Sequence, residues 1–311
     1  MKKALRIMLS LTLMLTLLLP AAALADIIEI APDVIKCPEP RKDGLVDEMT
    51  YEDPSISVRI ETGKMFDSKY FAAHIKIANA TQIRSYVLDD FYSTVTKPGY
   101  IMAGRVNAVL AIDGDFCERR LGSNTPIGFV VRQGVEYRRN IKPLVDDRMP
   151  DILIIDDQGD FTILPAAKPA DVDAFEGTVM NAYTFGPGLV INGVRRTEYQ
   201  NMDDGPNKKT QRMCVAQVGK LEYLCVCCEG PDDPGSKGMT LDEFSQLVAS
   251  FEGVQNAYTL DGGSSAQMVF LQKETSGKKN FSHVKINAME KDTNKNRPIR
   301  DILFFASAYV E

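Results

Sequence analysis

The sequence predicts an α+β fold in which a large mixed or antiparallel β-sheet core is accompanied by few helices in a single domain. Apolar and polar residues alternate over 56–60 and 70–77, which is the two-residue period of a β-strand. Glycine-containing turns at 132–134 and 157–159 separate further apolar segments and are typical of hairpins. Because strands follow strands, with one clear helical pattern after Thr240, an alternating βαβ sheet is not predicted.

Residues 1–25 are predicted to be a secretory signal peptide. A basic start is followed by a short apolar run over 7–19, and Ala23 and Ala25 occupy the small-residue positions of a cleavage site. We therefore expect cleavage before Asp26 and a secreted, extracytoplasmic protein. The apolar run is too short to cross a bilayer comfortably, so no membrane span is expected after cleavage.

Residues 26–50 are rich in proline and charge and predict an extended lead-in. Residues 51–311 contain no flexible linker and no repeat, so they are predicted to form one domain. The chain has 36 basic and 42 acidic residues and a formal net charge of −6 at pH 7. A negative surface disfavours nucleic acid and anionic lipid as partners.

Two apolar segments are predicted to be strands that lead into polar or glycine-rich motifs. The run over 104–112 predicts a strand buried on both faces, and it continues into Asp113, Gly114 and Asp115. The segment over 178–184 leads into a Phe-Gly-Pro-Gly sequence that contains Gly186. Loops at strand ends are where functional sites are usually built.

A hairpin is predicted over 213–227, with Gly219 and Lys220 as a two-residue turn. This register places Cys214 directly opposite Cys225. We expect these cysteines to pack as free thiols, and a disulfide between them is the alternative. The paired C-x-x-C units of a zinc site are absent from the sequence.

The helical pattern begins at Thr240. Glu243 follows three residues later, so the two residues are predicted to form a capping box. Apolar residues then recur on one face, and Gly253 is predicted to end the helix.

A polar, glycine-rich motif follows the next apolar segment. Asp261 ends that segment and is followed by Gly262, Gly263, Ser264 and Ser265. Glycines beside an acid at a strand end allow the backbone to approach a ligand closely. The alternative interpretation is an ordinary Asp-Gly hairpin turn.

Several common catalytic sites are excluded by the sequence. A G-x-S-x-G motif is absent, and two histidines leave few candidates for a Ser-His-Asp triad or a His-rich metal site. No cofactor is predicted. Asp232, Asp233 and Asp242 could bind calcium, but their spacing does not match a calcium-binding loop.

Four segments resemble, in order and spacing, the bacterial phosphodiester glycosidase family, and they lie at 108–116, 184–190, 211–216 and 258–270. The resemblance covers roughly residues 51–311. It implies a secreted glycoside hydrolase that cleaves the C1–O bond of a sugar-1-phosphate diester in a glycan or glycolipid, with carbohydrate as its partner.

The resemblance also implies roles for single residues. Arg212 would hold the phosphate, because its guanidinium fork matches phosphate geometry, while Asp261 and Asp115 would be the catalytic carboxylates. The other predicted substrate-binding residues supply backbone N–H groups or polar side chains: Asp113, Gly114, Gly186, Gly262, Gly263, Ser264 and Ser265. A surface salt bridge is the alternative for Arg212, and a turn cap is the alternative for Asp115.

The chain departs from the family pattern at the first motif, where Asp113 replaces the usual asparagine. Ser264 stands where the family has a third glycine, and 213–216 differs from the usual Thr-Ala-(Ile/Val)-Gly. The added charge of Asp113 beside Asp115 is expected to raise one pKa or to alter substrate choice. Two rival functions stay open: a non-catalytic extracellular glycan-binding module on the same scaffold, and a metal-dependent phosphoesterase that cuts the P–O bond.

Overall fold

A computed structural model describes residues 26–88, 91, 95–115, 128–143, 148–198, 204–274, 281–287 and 297–311. The predicted signal peptide, residues 1–25, lies outside these ranges. Among the helices of the described ranges, none combines the length and the apolar character needed to cross a bilayer.

The described residues form four α-helices and a larger number of β-strands. The helices are α1 (Gly99–Val106), α2 (Pro169–Asp173), α3 (Asp204–Asn207) and α4 (Leu241–Ala249). The strands are β1 (Asp26–Ile27), β2 (Leu45–Asp47), β3 (Thr50–Asp53), β4 (Ile56–Met65), β5 (Ser68–Ile77), β6 (Ile83–Val87), β7 (Ala108–Asp113), β8 (Gly128–Arg132), β9 (Val135–Asn140), β10 (Ile152–Asp156), β11 (Phe161–Leu164), β12 (Val179–Tyr183), β13 (Gly188–Ile191), β14 (Val194–Arg195), β15 (Arg212–Gly219), β16 (Glu222–Cys228), β17 (Asn256–Thr259), β18 (Met268–Lys273), β19 (Phe281–Lys285), β20 (Asp301–Ala306) and β21 (Tyr309–Val310).

The predicted α+β class with an extensive sheet core is confirmed. A nine-stranded sheet has the order β14-β13-β17-β15-β16-β5-β4-β3-β2. Two five-stranded sheets have the orders β11-β10-β12-β8-β9 and β19-β18-β7-β20-β6, and β1 pairs with β21. Neighbouring strands such as β4 and β5 run antiparallel, as expected for strands joined by short turns.

The nine-stranded sheet is buried on both faces at its centre. On one face Val215 packs in a cluster with Leu110 and Phe305 of one five-stranded sheet and with Leu153 of the other. On the opposite face Ala216 packs against helix α4. Successive residues of β15 therefore enter different cores, because side chains alternate across a strand.

The lead-in is packed along the body of the protein. The guanidinium of the buried Arg84 donates hydrogen bonds to the backbone carbonyl oxygens of Ile30, Ala31, Pro32 and Val34. Ile30 and Cys37 are also buried. The Arg84 side chain, which belongs to β6, thus provides hydrogen-bond donors for carbonyl oxygens of the lead-in that are not paired with a strand.

The predicted start of the strand over 104–112 is wrong. Residues up to Val106 belong to α1, Asn107 has a left-handed backbone with φ of 57°, and β7 begins at Ala108. Met102 and Val106 are buried beneath the helix. The apolar run continues across the turn, so it does not reveal where the helix ends and the strand begins.

The predicted register of the cysteine hairpin is wrong by one residue. Cys214 pairs with Val226, and Val215 pairs with Cys225, because the turn uses Lys220 and Leu221 together with an irregularity before Gly219. A one-residue shift moves side chains to opposite faces. Cys214 and Cys225 accordingly lie in different cores, and the described cysteines are buried free thiols, as expected.

The capping box of α4 is confirmed. The Thr240 hydroxyl accepts a hydrogen bond from the Glu243 N–H at 3.1 Å, and the Thr240 N–H donates to the Glu243 carboxylate at 2.9 Å. The helix ends at Ala249, earlier than predicted. Gly253 instead closes the turn that follows, with φ of +80°.

Candidate functional site

Three of the predicted motifs meet at one edge of the nine-stranded sheet. The Asp261 N–H donates to the Gly114 carbonyl oxygen at 3.1 Å, and the Gly263 N–H donates to the Gln211 carbonyl oxygen at 2.9 Å. The loop after β17 is therefore held between the end of β7 and the start of β15. These backbone hydrogen bonds hold Asp113–Asp115, Arg212 and the Asp-Gly-Gly loop close together.

The two glycines of this loop are required by its geometry. A Cβ atom at Gly262 would lie 2.9 Å from the Gln211 carbonyl oxygen. Gly263 has φ of +60°, in the left-handed region that favours glycine. Ser264 is exposed, while Ser265 is buried at the end of a short 3₁₀ turn over Gly263–Ser265.

Asp261 is a buried carboxylate that titrates close to neutrality. Its side chain accepts a hydrogen bond from the Gly262 N–H at 2.7 Å, and the residue is only 6% exposed. Burial raises the pKa of Asp261 to about 6, against the opposing effect of the Ser265 hydroxyl. A carboxyl with such a pKa can change protonation state under physiological conditions.

Asp113 is even more deeply buried. One of its carboxylate oxygens accepts the Gln267 N–H at 2.8 Å, and the other has no hydrogen-bond partner among the described residues. Burial, and next the nearby charge of Asp261, raise the pKa of Asp113 well above its ordinary value. The pKa rise expected from the added acid is thus present, with Asp261 rather than Asp115 as the neighbour that contributes most.

Asp115 belongs to a buried ion network. One carboxylate oxygen accepts the Thr184 and Phe185 N–H groups at 3.0 and 2.8 Å, and the other accepts Arg132 Nη2 at 2.8 Å. Its side chain is inaccessible to solvent. Asp115 therefore joins the loop after β7 to the chain that follows β12.

Arg132 is the centre of this network and was missed by the sequence analysis. Its guanidinium bridges Asp115 and Asp301 and lies 4.0 Å from the centroid of the Tyr183 ring. Burial raises the pKa of Asp301, although the charge of Arg132 opposes the rise. The only signals in the sequence are an arginine at the end of one apolar strand and an aspartate at the start of another.

Asp301 also explains the glycine at position 114. A Cβ atom there would lie 2.4 Å from Asp301 Oδ2. The same oxygen accepts the Asp115 N–H at 3.3 Å. The Asp301 carboxylate therefore packs directly against the backbone at Gly114, which leaves no room for a side chain at position 114.

Arg212 is a half-buried cation whose hydrogen bonds go to neutral groups. Its guanidinium donates to the carbonyl oxygens of Met239, Gly205, Pro206 and Lys208. No carboxylate in the described part of the chain forms an ion pair with it, so it is not the surface salt bridge considered as the alternative. Burial lowers the pKa of Arg212.

A cavity of about 680 Å³ opens beside Arg212. Gly186, with φ of +63°, and Pro187, joined to it by a cis peptide bond, form part of its wall. Neither Asp113, Asp115 nor Asp261 lines this cavity. Arg212, the predicted phosphate-binding residue, therefore borders an open cavity whose lining does not include the predicted carboxylates.

The three aspartates considered for calcium have protein partners. Asp232 accepts from Gln211, Asp233 from the Ser236 hydroxyl, and Asp242 from Arg195. Across the ranges that the structure covers, no group of three or more His, Cys, Asp or Glu residues is placed to hold a metal ion.

Comparisons with known proteins agree with the fold and the motifs. Residues 106–306 match the phosphodiester glycosidase family. The structure is similar to the catalytic domain of zebrafish N-acetylglucosamine-1-phosphodiester alpha-N-acetylglucosaminidase, auto-inhibited by its pro-peptide, with a TM-score of 0.62, 14% identity, and coverage of 82% of this chain and 85% of that chain. It is also similar to a hypothetical protein from Synechocystis, with a TM-score of 0.51, 14% identity, and coverage of 83% and 62%. A comparison of the sequence with curated proteins found no match.

Proposed function

We propose, from the premise that this chain belongs to the phosphodiester glycosidase family, that it hydrolyses the C1–O bond of a sugar-1-phosphate diester. Water adds its oxygen to C1, and the phosphate leaves with the bonding electrons as a phosphate monoester. The products are a free sugar and the phosphorylated aglycone. The structural neighbours share 14% identity with the chain and support the fold rather than the substrate.

The observation that carries the proposal is the state of Arg212. A partly buried cation that has no carboxylate partner among the described residues is costly, and an anion that binds beside it offsets that cost. The Nε and one Nη of the guanidinium already donate hydrogen bonds to backbone carbonyls, and these bonds fix its orientation toward the cavity wall. A phosphate diester supplies the missing charge, and arginine is well suited to its geometry.

Asp261 is assigned to the anomeric side of the bond. A carboxylate near the developing oxocarbenium carbon either stabilises it or activates water. Because phosphate leaves as a stable anion, little protonation by a general acid is needed. Gly262 and Gly263 lie against the strand that carries Arg212, and their N–H groups donate to the Asp261 carboxylate and to the Gln211 carbonyl oxygen, so these glycines position the loop that carries Asp261.

We assign Asp115 a structural role, in which it holds the loop after β7 in place. Both of its oxygens already accept hydrogen bonds from within the protein. Its catalytic role, predicted from the sequence, stays a prediction. Ser264 is exposed and stays a proposed substrate-binding residue, while the substrate-binding roles of the buried Asp113 and Ser265 stay predictions.

The test uses the methyl phosphodiester of N-acetylglucosamine-1-phosphate, the sugar named for the zebrafish enzyme, in ¹⁸O-labelled water. Label in the sugar and none in methyl phosphate supports C1–O hydrolysis. Label in the phosphate product would instead mean P–O cleavage, the chemistry of a phosphoesterase. Binding of the diester with no product from it or from other sugar phosphodiesters would favour the non-catalytic glycan-binding module.

Export is part of the proposal. The basic start, apolar run and small residues of 1–25 support cleavage near Ala25–Asp26 and action on an extracytoplasmic substrate. N-terminal sequencing of the exported protein should begin at Asp26. A protein that begins at Met1 would contradict this assignment.

A further inference from the structure

We propose that the cavity beside Arg212 is the leaving-group subsite and that it takes an aglycone bearing a hydrocarbon chain, as in a glycolipid, rather than a second sugar. The inference rests on the proposed function, because it assigns the phosphate to Arg212. It goes further by choosing between glycolipid and glycan.

The cavity wall is built largely from apolar side chains. Met149, Pro150, Phe185, Pro187 and Leu241 all contribute to it. Leu241 is the first residue of α4, so the capping box fixes part of this wall. A volume of about 680 Å³ lies in the range of sites for small organic ligands.

Most polar groups of the wall are already used. Asp151 accepts the Ala166 and Gly188 N–H groups at 2.8 and 2.9 Å and also pairs with Arg196. Arg196 in turn pairs with Glu198 at 2.6 Å. The Asp151 side chain is only 6% exposed, so it has little surface to offer a ligand hydroxyl.

The remaining polar side chains of the cavity wall do not form a hydrogen-bonding site for a sugar. The Thr259 hydroxyl is buried within the wall and inaccessible from the cavity. Arg148 also lines the cavity and already has a partner. Arg212, by contrast, is bonded only to carbonyl oxygens among the described residues.

The chemistry of the wall therefore favours one anion attached to an apolar chain. A sugar would lose hydrogen bonds to water on entering, while most polar groups of the wall already have partners within the protein and offer few replacements. A hydrocarbon chain gains free energy by leaving water against the same surface. The phosphate at Arg212 would then mark the boundary between the reacting sugar and the apolar aglycone.

Binding measurements test this without requiring turnover. Hexyl phosphate, methyl phosphate and glucose 6-phosphate share the anion and differ only in the attached group. By calorimetry, we expect hexyl phosphate to bind at least 10-fold more tightly than either of the others. Equal affinities, or tighter binding of glucose 6-phosphate, would overturn the inference.

Two variants locate the effect. Phe185→Ala should reduce the ratio of hexyl to methyl phosphate affinity several-fold, and Arg212→Gln should weaken the binding of both. Phe251→Ala removes a phenyl ring that packs on Tyr70 and does not line the cavity, so it should leave the ratio unchanged. An unchanged ratio in Phe185→Ala would place the hydrocarbon elsewhere and contradict the proposal.

Turnover separates this inference from the proposed function. With hexyl and methyl diesters of the same sugar-1-phosphate, we expect kcat/KM to be at least 10-fold higher for the hexyl compound. Sugar release at equal rates would support the proposed function and overturn the aglycone preference. Tight hexyl phosphate binding without any sugar release would support the apolar subsite and count against the hydrolase.

Discussion

The backbone N–H of Asp261 donates a hydrogen bond to the carbonyl oxygen of Gly114 across 3.1 Å. This bond joins the Asp-Gly-Gly loop after β17 to the loop after β7, which is itself fixed by the Asp301 carboxylate. The position of the proposed catalytic carboxylate therefore depends on a buried network that it does not touch directly.

Asp261→Asn is expected to lower kcat by about 10² to 10⁴, the usual contribution of a positioned carboxylate. Asparagine keeps the shape and can accept the Gly262 N–H, so the fold should be retained. The measurement is steady-state hydrolysis of a sugar-1-phosphate diester, with circular dichroism to confirm folding. Asp43→Asn, at an exposed acid paired with Arg41, is the control; wild-type activity in Asp261→Asn would exclude the assigned role.

The pH dependence of hydrolysis should follow the pKa of Asp261, which burial raises to about 6. The carboxylate is the active form, so the rate should rise with pH through about 6 and level off above it. Below that pH the rate should fall about tenfold per pH unit. The measurement is a profile of kcat/KM from pH 4 to 8, and a profile that rises toward acid would contradict the role of a carboxylate.

Asp113→Asn is expected to stabilise the protein at pH 7. A buried carboxyl with a raised pKa binds its proton more tightly in the folded state, so its contribution to stability is lost as pH rises above the unfolded pKa. Each unit of pKa difference corresponds to about 1.4 kcal/mol. Urea unfolding at pH 4 and pH 7 should show that the variant gains more free energy of unfolding over the wild type at pH 7 than at pH 4. A larger gain in stability at pH 4 would contradict the prediction.

Arg132→Ala should destabilise the protein by about 3 to 5 kcal/mol, because it leaves the buried carboxylates of Asp115 and Asp301 without their cation. Arg139 is a matched control, since it also bridges two acids, Glu136 and Asp173. Its side chain is 41% exposed, so Arg139→Ala should cost about 1 kcal/mol or less. Similar urea midpoints for the two variants would show that the buried network contributes little.

Gly114→Ala should reduce activity, because the new Cβ would lie 2.4 Å from Asp301 Oδ2 and must displace the loop that anchors Asp261. A displacement of about 1 Å can cost about 10²-fold in rate. Gly104→Ala is the control in helix α1, where the Cβ would meet His283 at an ordinary 3.4 Å. That variant should keep activity and gain up to about 1 kcal/mol from helix propensity, as measured by thermal unfolding.

Several features could be predicted from neighbouring residues alone. The capping box at Thr240 depends on two residues three positions apart, and the structure confirms it. The hairpin around Gln133 and Gly134 depends on a glycine-containing turn, and its strands are also present. Features of this kind are encoded by local spacing, because the interacting groups are close in the sequence.

The register of the cysteine hairpin shows where local reasoning ends. The turn residues identified the hairpin, but the turn lies at Lys220 and Leu221, and together with one irregularity before Gly219 it places Cys214 opposite Val226. A single extra residue in a strand is decided by packing on both faces of the sheet. The same holds at Val106 and Ala108, where apolar character continues while the backbone changes from helix to strand.

Residue types and short spacings were enough to indicate the β-rich class, the capped helix and the glycine loop that follows the apolar segment ending at Leu260. Tertiary structure alone decided that Asp115 is bound by Arg132 and that Arg132 reaches Asp301, which lies 169 positions further along the chain. It also decided that Arg212 borders a cavity while Asp261 is buried beside it. The reason is physical: burial and charge pairing depend on which distant strands become neighbours, and no local pattern contains that information.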